Sequence, residues 1–188
     1  MKDLYDFLPG IRPDLPGCSD PMIEQNLLQV VAAFCSDTNI WRYRPDTLTT
    51  AVGEKVYTLD DIPGGSVILS IISCLDVAGQ HFQDYRFYPP DFELLESPTS
   101  AFTLDFELSL APQDGVDSVE DMFFRDWYEE ICSGTKAKLM IIPGKPWSNP
   151  SLAGVHAGLY RQGVGKARIR MSKQNSVVGK RVTGRSFF

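Results

Sequence analysis

From Ile131 to Phe188 the chain has no aspartate or glutamate, although it holds 24 acidic residues in all. The bases in that stretch are Lys136, Lys138, Lys145, Arg161, Lys166, Arg168, Arg170, Lys173, Lys180, Arg181 and Arg185. Residues 1–130 carry only Lys2, Arg12, Arg42, Arg44, Lys55, Arg86 and Arg125. The formal net charge of −6 therefore joins a strongly acidic part to a strongly basic one, a split that calls for a partner for one or both parts. Histidine is scarce: His81 and His156 are the two present, and neither stands near a nucleophile in sequence. No G-x-S-x-G elbow or H-E-x-x-H pair occurs, which removes two common hydrolase signatures. The four cysteines, Cys18, Cys35, Cys74 and Cys132, form no C-x-x-C pair. Neither a disulfide framework nor a zinc site is expected from that scatter. Cys35 and Cys74 lie in apolar runs and read as buried, reduced thiols. No run approaches the roughly 18 apolar residues of a membrane span, and MKDLYDFLPG lacks the apolar core of a signal peptide. A soluble chain assembled in a reducing cytoplasm, with no membrane contact, is expected.

At 188 residues, with 43% apolar and 11% aromatic content, the chain can bury roughly 70% of its unfolded surface in one good core or two small ones. Residues 1–19 are rich in proline and glycine and predict an irregular lead-in. Asp20-Pro21 predicts a helix start, with Asp20 as cap and Pro21 at the first helical position. Ile23, Leu27, Val30, Val31 and Phe34 continue at helical spacing to about Ser36, and Ile40, Trp41 and Tyr43 follow as an aromatic anchor. The period then changes. Residues 55–59 and 80–88 alternate, Val67–Leu75 is a β-branched run, and Leu104, Phe106, Leu108 and Leu110 share one face. Four or five short strands with Gly/Pro turns predict an antiparallel sheet or small sandwich and argue against a parallel βαβ fold. Residues 89–98 have no assignable pattern.

Ser118 predicts the start of a second helix, with Glu120 and Asp121 in its first turn and Val119, Met122, Phe123, Trp127 and Ile131 as its apolar stripe. Pro143–Pro146 is a connector. Asn149-Pro150 repeats the cap-plus-proline start, and a third helix runs to Met171 or Ser172 with Leu152, Leu159, Ala167 and Ile169 as core positions. Gly158, Gly163 and Gly165 weaken that helix by up to about 1 kcal/mol each, which implies close backbone packing or a bend. Residues 175–188 have no helical pattern and read as an arm.

The expected organisation is α+β: residues 1–45 give a lead-in and helix 1, 46–112 an inserted antiparallel β unit, 113–174 helices 2 and 3, and 175–188 a C-terminal arm. The helices would form a three-helix bundle.

Gly163–Ala167 (GVGKA) lacks the magnesium-binding hydroxyl and the preceding strand of a phosphate loop. The carboxylates of residues 91–130 lack the order of a calcium loop and read as a solvated acidic face, which would repel passing DNA. No catalytic residue, cofactor or metal site is expected. The basic C-terminal region lacks the interleaved aromatics of a nucleic-acid stacking platform, although a nucleic-acid-binding module remains the alternative reading. A basic arm that docks on an acidic protein surface fits better. Charge would supply on-rate and specificity, while Val177, Val178, Val182, Phe187 and Phe188 supply affinity. The acidic 91–130 region of an adjacent copy is one candidate surface.

In order along the chain, Glu24–Tyr43 (EQNLLQVVAAFCSDTNIWRY), Ala51–Leu59 (AVGEKVYTL), Cys74–Phe82 (CLDVAGQHF), Leu108–Pro112 (LSLAP) and Trp127–Lys173 (from WYEEICSGTKAKLMIIPGKPWSNP to GLYRQGVGKARIRMSK) stand out together. This arrangement resembles the head-to-tail adaptor (connector) proteins of tailed bacteriophages, including those related to tail tubular protein A. Residues 83–101 fall outside it. The resemblance implies a non-enzymatic structural protein of the virion neck, assembled in the host cytoplasm. It would form a homo-oligomeric, dodecameric ring between the portal protein and the tail proteins, with DNA passing through the channel without specific binding. By carry-over, Val177, Lys180, Arg181, Val182, Arg185, Phe187 and Phe188 dock on the portal, and the β insert faces the tail.

Overall fold

The computed structural model describes residues 1–174. The chain opens with strand β1 (Lys2–Asp3), a 3-10 turn (Leu4–Phe7), helix α1 (Leu8–Ile11) and a second 3-10 turn (Arg12–Asp14). This corrects the expected irregular lead-in, because Leu4, Phe7, Leu8, Ile11 and Leu15 are all buried. The breakers serve packing. Pro9 sits in the first turn of α1, where a missing amide costs nothing, and Gly10 lies so close to the Tyr128 ring that a Cβ would collide with it.

Helix α2 (Asp20–Thr38) buries Ile23, Leu27, Val30, Val31 and Phe34, as their spacing predicts. Its N-cap is Ser19 rather than Asp20. Asp20 and Pro21 are instead its first two residues, and the Asp20 carboxylate accepts from Arg12 at 2.6 Å. Asn39 ends α2 at φ 48°, with its amide donating to the Cys35 carbonyl at 2.8 Å. Asparagine tolerates that left-handed geometry better than most residues.

The strands that follow are β2 (Arg42–Tyr43), β3 (Leu48–Thr49), β4 (Val56–Thr58), β5 (Ser66–Asp76), β6 (Tyr85–Tyr88), β7 (Asp91–Leu94), β8 (Thr103–Pro112) and β9 (Ser118–Val119). Every pairing is antiparallel. β8 is the centre of a four-stranded sheet, with β5 along one edge and β2 and β3 along the other. Its alternating Leu104, Phe106, Leu108 and Leu110 are all buried. Strands β4, β7 and β6 form a second sheet, which meets the first through Phe92 edge-on to Phe106 at 5.0 Å. β7 falls within residues 89–98, which the sequence left unplaced. Its Phe92 and Leu94 are buried between charged neighbours Asp91 and Glu93, so the run is too short to register as a period.

The expected helix start at Ser118 is also corrected. Ser118 and Val119 pair with Asp3 and Lys2 as a two-stranded sheet, and helix α3 runs Asp121–Met140. Residues 118–121 satisfy both patterns locally, and the N-terminal strand decides between them by supplying ladder partners. Helix α4 (Pro150–Gln174) returns antiparallel to α3, with Arg170 at Asp126 and Lys166 at Glu130. Helices α2, α3 and α4 converge at Gly134, where a Cβ would strike both Val30 and Tyr160. The chain is thus a mixed α+β fold whose helices and sheets share one hydrophobic cluster.

Candidate functional site

The proposed docking residues Val177, Lys180, Arg181, Val182, Arg185, Phe187 and Phe188 lie outside the described residues.

Asn149 caps α4, its side-chain oxygen accepting from the Leu152 amide at 3.1 Å. Ala153, Gly163, Val164, Ala167 and Met171 are the buried positions. Of the core positions expected from sequence only Ala167 is fully buried. Leu152 is half-buried, and Leu159 and Ile169 face solvent, 45% and 57% exposed. α4 seats closely on α3 at Gly163, which is pressed on the Glu130 side chain, and turns Val164, Ala167 and Met171 inward, which leaves Leu159 and Ile169 on the outer side. Val155, 59% exposed, joins Leu159 and Ile169 there. Gly154, Gly158 and Gly165 have open space where a Cβ would stand. Close packing within the chain therefore explains Gly163 alone among the three glycines singled out from sequence. GVGKA sits inside α4, not in a loop.

The bases of α4 are largely spent on seating it. Lys166 reaches Glu130 at 3.2 Å, Arg168 reaches Asp37 at 3.5 Å and Arg170 reaches Asp126 at 2.9 Å. The Asp126 carboxyl is held below the usual aspartate range, chiefly by its hydrogen bond from Arg125 and further by Arg170. Lys136 on α3 pairs with Asp14 at 2.5 Å. These are exposed or half-exposed pairs, each worth about 0–1 kcal/mol; the three made by α4 tie it to α2 and α3, and Lys136 ties α3 to the N-terminal segment.

A different charge pattern lines a groove of about 460 Å³ between the N-terminal half of α2 and the β8–β9 turn. Glu24, Asp114 and Asp117 line it, over Leu4, Leu28 and Val116. Among the described residues, none of these three carboxylates has an ion-pair partner.

A cavity of about 190 Å³ lies where α3 departs from helical geometry at Trp127 (φ −135°, ψ 18°), with Arg125, Asp126 and Arg170 in its lining. The Trp127 indole N–H is buried with no partner among the described residues, and the Arg170 guanidinium lies 5.9 Å over its ring. Nothing in the local sequence signals this kink, because Trp127 keeps its place in the apolar stripe.

His81 is exposed at the β5 hairpin, paired with Leu75. His156 is half-buried on α4, its pKa lowered by burial and by Lys136. Cys35 and Cys74 are buried as expected, and so is Cys132. Burial pushes the Cys74 and Cys132 thiols up to about 12, far from the reactive thiolate range. Among the described residues no three His, Cys, Asp or Glu side chains are grouped to hold a metal ion, and no helix is long and apolar enough to cross a membrane. No protein-family model matches the chain, and no curated protein matches it.

Proposed function

We propose that the protein is a structural adaptor of a tailed-phage neck, forming a dodecameric ring that joins the portal to the tail and continues the DNA channel. In this reading α2, α3 and α4 act as a three-helix bundle, the β part is an insert facing tail proteins, and residues 175–188 are an arm that docks on the portal. Val177, Lys180, Arg181, Val182, Arg185, Phe187 and Phe188 carry that contact. The protein works without catalysis, at the head–tail junction of the virion.

The observation that carries this reading is the outer face of α4. Val155, Leu159 and Ile169 stand exposed beside glycines with open space above them. An exposed apolar face on a long helix is a protein-contact surface, and glycines let another backbone approach closely. The nucleic-acid reading is weakened by the same helix, since Lys166, Arg168 and Arg170 are engaged by carboxylates of their own chain instead of standing as an open row for phosphates.

Native mass measurement with the cognate portal tests the proposal. A ring of copies bound to the portal ring is the expected result, and deletion of residues 176–188 should abolish it while leaving the protomer folded. Persistent absence of any portal complex would remove the adaptor reading. Tight DNA binding by the protein alone, with a steep salt dependence, would put the nucleic-acid module in its place.

A further inference from the structure

A groove of about 710 Å³ lies beside the C-terminal end of α4, and its apolar floor is Ile40, Ile72, Leu75, Met122 and Met171. Ile40 and Met171 are buried, but Ile72, Leu75 and Met122 are only half-buried. Ile72 and Leu75 also stand outside the main hydrophobic cluster. We propose that residues 175–179 of the same chain dock in this groove, with Val178 as the anchor on its apolar floor.

Position, composition and charge select that occupant. Met171 lines the groove three residues before Gln174, where the described chain ends, so α4 delivers the following residues to this place. Val178 is four residues further on, a span of about 6 Å if helical and about 13 Å if extended. Either span keeps it beside the groove. Asn175, Ser176, Val177, Val178 and Gly179 carry no charge, so they can leave water for an apolar floor without burying an ion. The first base of the arm is Lys180. Arg42 and Arg44 line the same groove and share one carboxylate, Glu107, at 3.5 and 3.8 Å. Two guanidiniums on one acid make that side basic, and like charges brought together there oppose further seating of Lys180 and Arg181. Docking therefore stops at Gly179 and turns residues 180–188 away from the groove. The tether favours the chain's own segment over a second copy, because a short link holds it at an effective concentration on the order of millimolar.

The docking itself stands apart from the portal. Its use rests on the adaptor reading: a fixed starting point for residues 180–188 leaves less freedom to be lost when they bind.

Full-length Val178→Cys with Ile72→Cys tests the contact by oxidation. A disulfide needs Cα atoms within about 7 Å, so this pair should close within one chain at least tenfold faster than Val178→Cys with Val155→Cys. Val155 lies about 24 Å back along α4 from Met171, beyond reach of the segment. Val178→Cys alone measures trapping by Cys18, Cys35, Cys74 and Cys132. A second readout leaves the folded part unaltered: Val178→Asp should move the methyl carbon resonances of Met122 and Met171, whereas Thr183→Asp should not.

Equal closure in the two cysteine pairs, or methyl resonances that Val178→Asp does not move, would overturn the docking. Disulfides formed only between chains would give the groove to a second copy and overturn it as well. The portal complex is read separately by native mass. Closure within one chain, with no portal complex from the reduced protein, would keep the docking and remove the adaptor reading.

Discussion

Along α4 the inward positions Ala153, Val164, Ala167 and Met171 are buried, while Val155, Leu159 and Ile169 face outward. The larger β-branched and leucine side chains are thus mostly on the solvent side, the reverse of an ordinary amphipathic helix. The inner face is committed to its own chain through close approach, with Gly163 pressed against Glu130 and Tyr160 over Gly134. The outer face has glycines that nothing fills. A helix loses roughly 0.5–1 kcal/mol for each glycine relative to alanine, and among the described residues nothing lies within 4 Å of a Cβ at Gly154, Gly158 or Gly165. The contrast separates residues that hold the chain together from residues that the described chain leaves uncovered.

Substitutions on the two sides should break this contrast or sharpen it. The largest effect is expected inside. Phe34 is fully buried and touches Trp127 at 5.3 Å and Tyr160 at 6.1 Å between ring centres. Phe34→Ala should cost about 3–5 kcal/mol in denaturant unfolding, whereas Leu159→Ala on the outer face should stay within about 0.5 kcal/mol. Equal losses at the two positions would show that the outer face belongs to the core.

Next comes the point where the helices meet. Gly134→Val must displace Val30 and Tyr160, and overpacking of this kind costs about 1–3 kcal/mol, read as a lower midpoint with an unchanged slope. The opposite sign is expected outside. Gly158→Ala meets no atom within 4 Å and should raise protomer stability by about 0.5–1 kcal/mol. A loss of stability at Gly158 would mean that the open space is filled within the protomer.

The smallest effect concerns charge. Asp126 has a lowered pKa, set mainly by Arg125 and also by Arg170. Its stabilising contribution is therefore present above the ordinary aspartate range and is lost as pH falls through its lowered value. Arg170→Gln should reduce stability by less than about 1 kcal/mol at neutral pH, and the difference from wild type should shrink as the pH is lowered through that range. A difference that persists in acid would assign Arg170 a packing role over Trp127 instead.

Helix α2 was legible to within two or three residues at either end, because five apolar positions at strict helical spacing leave no competing pattern. β8 was legible for the same reason at period two. The start of α3 was not, since Ser118-Val119 becomes a strand only when Lys2 and Asp3 arrive beside it, a partner far away in sequence. The lead-in was not legible, because proline and glycine mark breaks in the helix period without telling whether the residues between them are buried. The acid-free stretch was visible as composition alone, and its use was hidden. Lys136, Lys166, Arg168 and Arg170 find acids from residues 14, 130, 37 and 126, pairings that depend on the N-terminal segment and the three helices being brought together.

By itself the sequence determined where regular structure would form in α2, β8 and most of α3 and α4, because apolar periodicity is a local property of the chain. It also determined the division of charge between residues 1–130 and the remainder. Only the tertiary structure decided which face of α4 is buried, which of its bases are neutralised, and that Glu24 is brought beside Asp114 and Asp117 with no ion-pair partner for the three among the described residues. The physical reason is that burial and ion pairing are relations between distant segments. α4 packs closely on α3 at Gly163 with Val164, Ala167 and Met171 inward, which leaves Val155, Leu159 and Ile169 turned outward, a choice no local pattern contains.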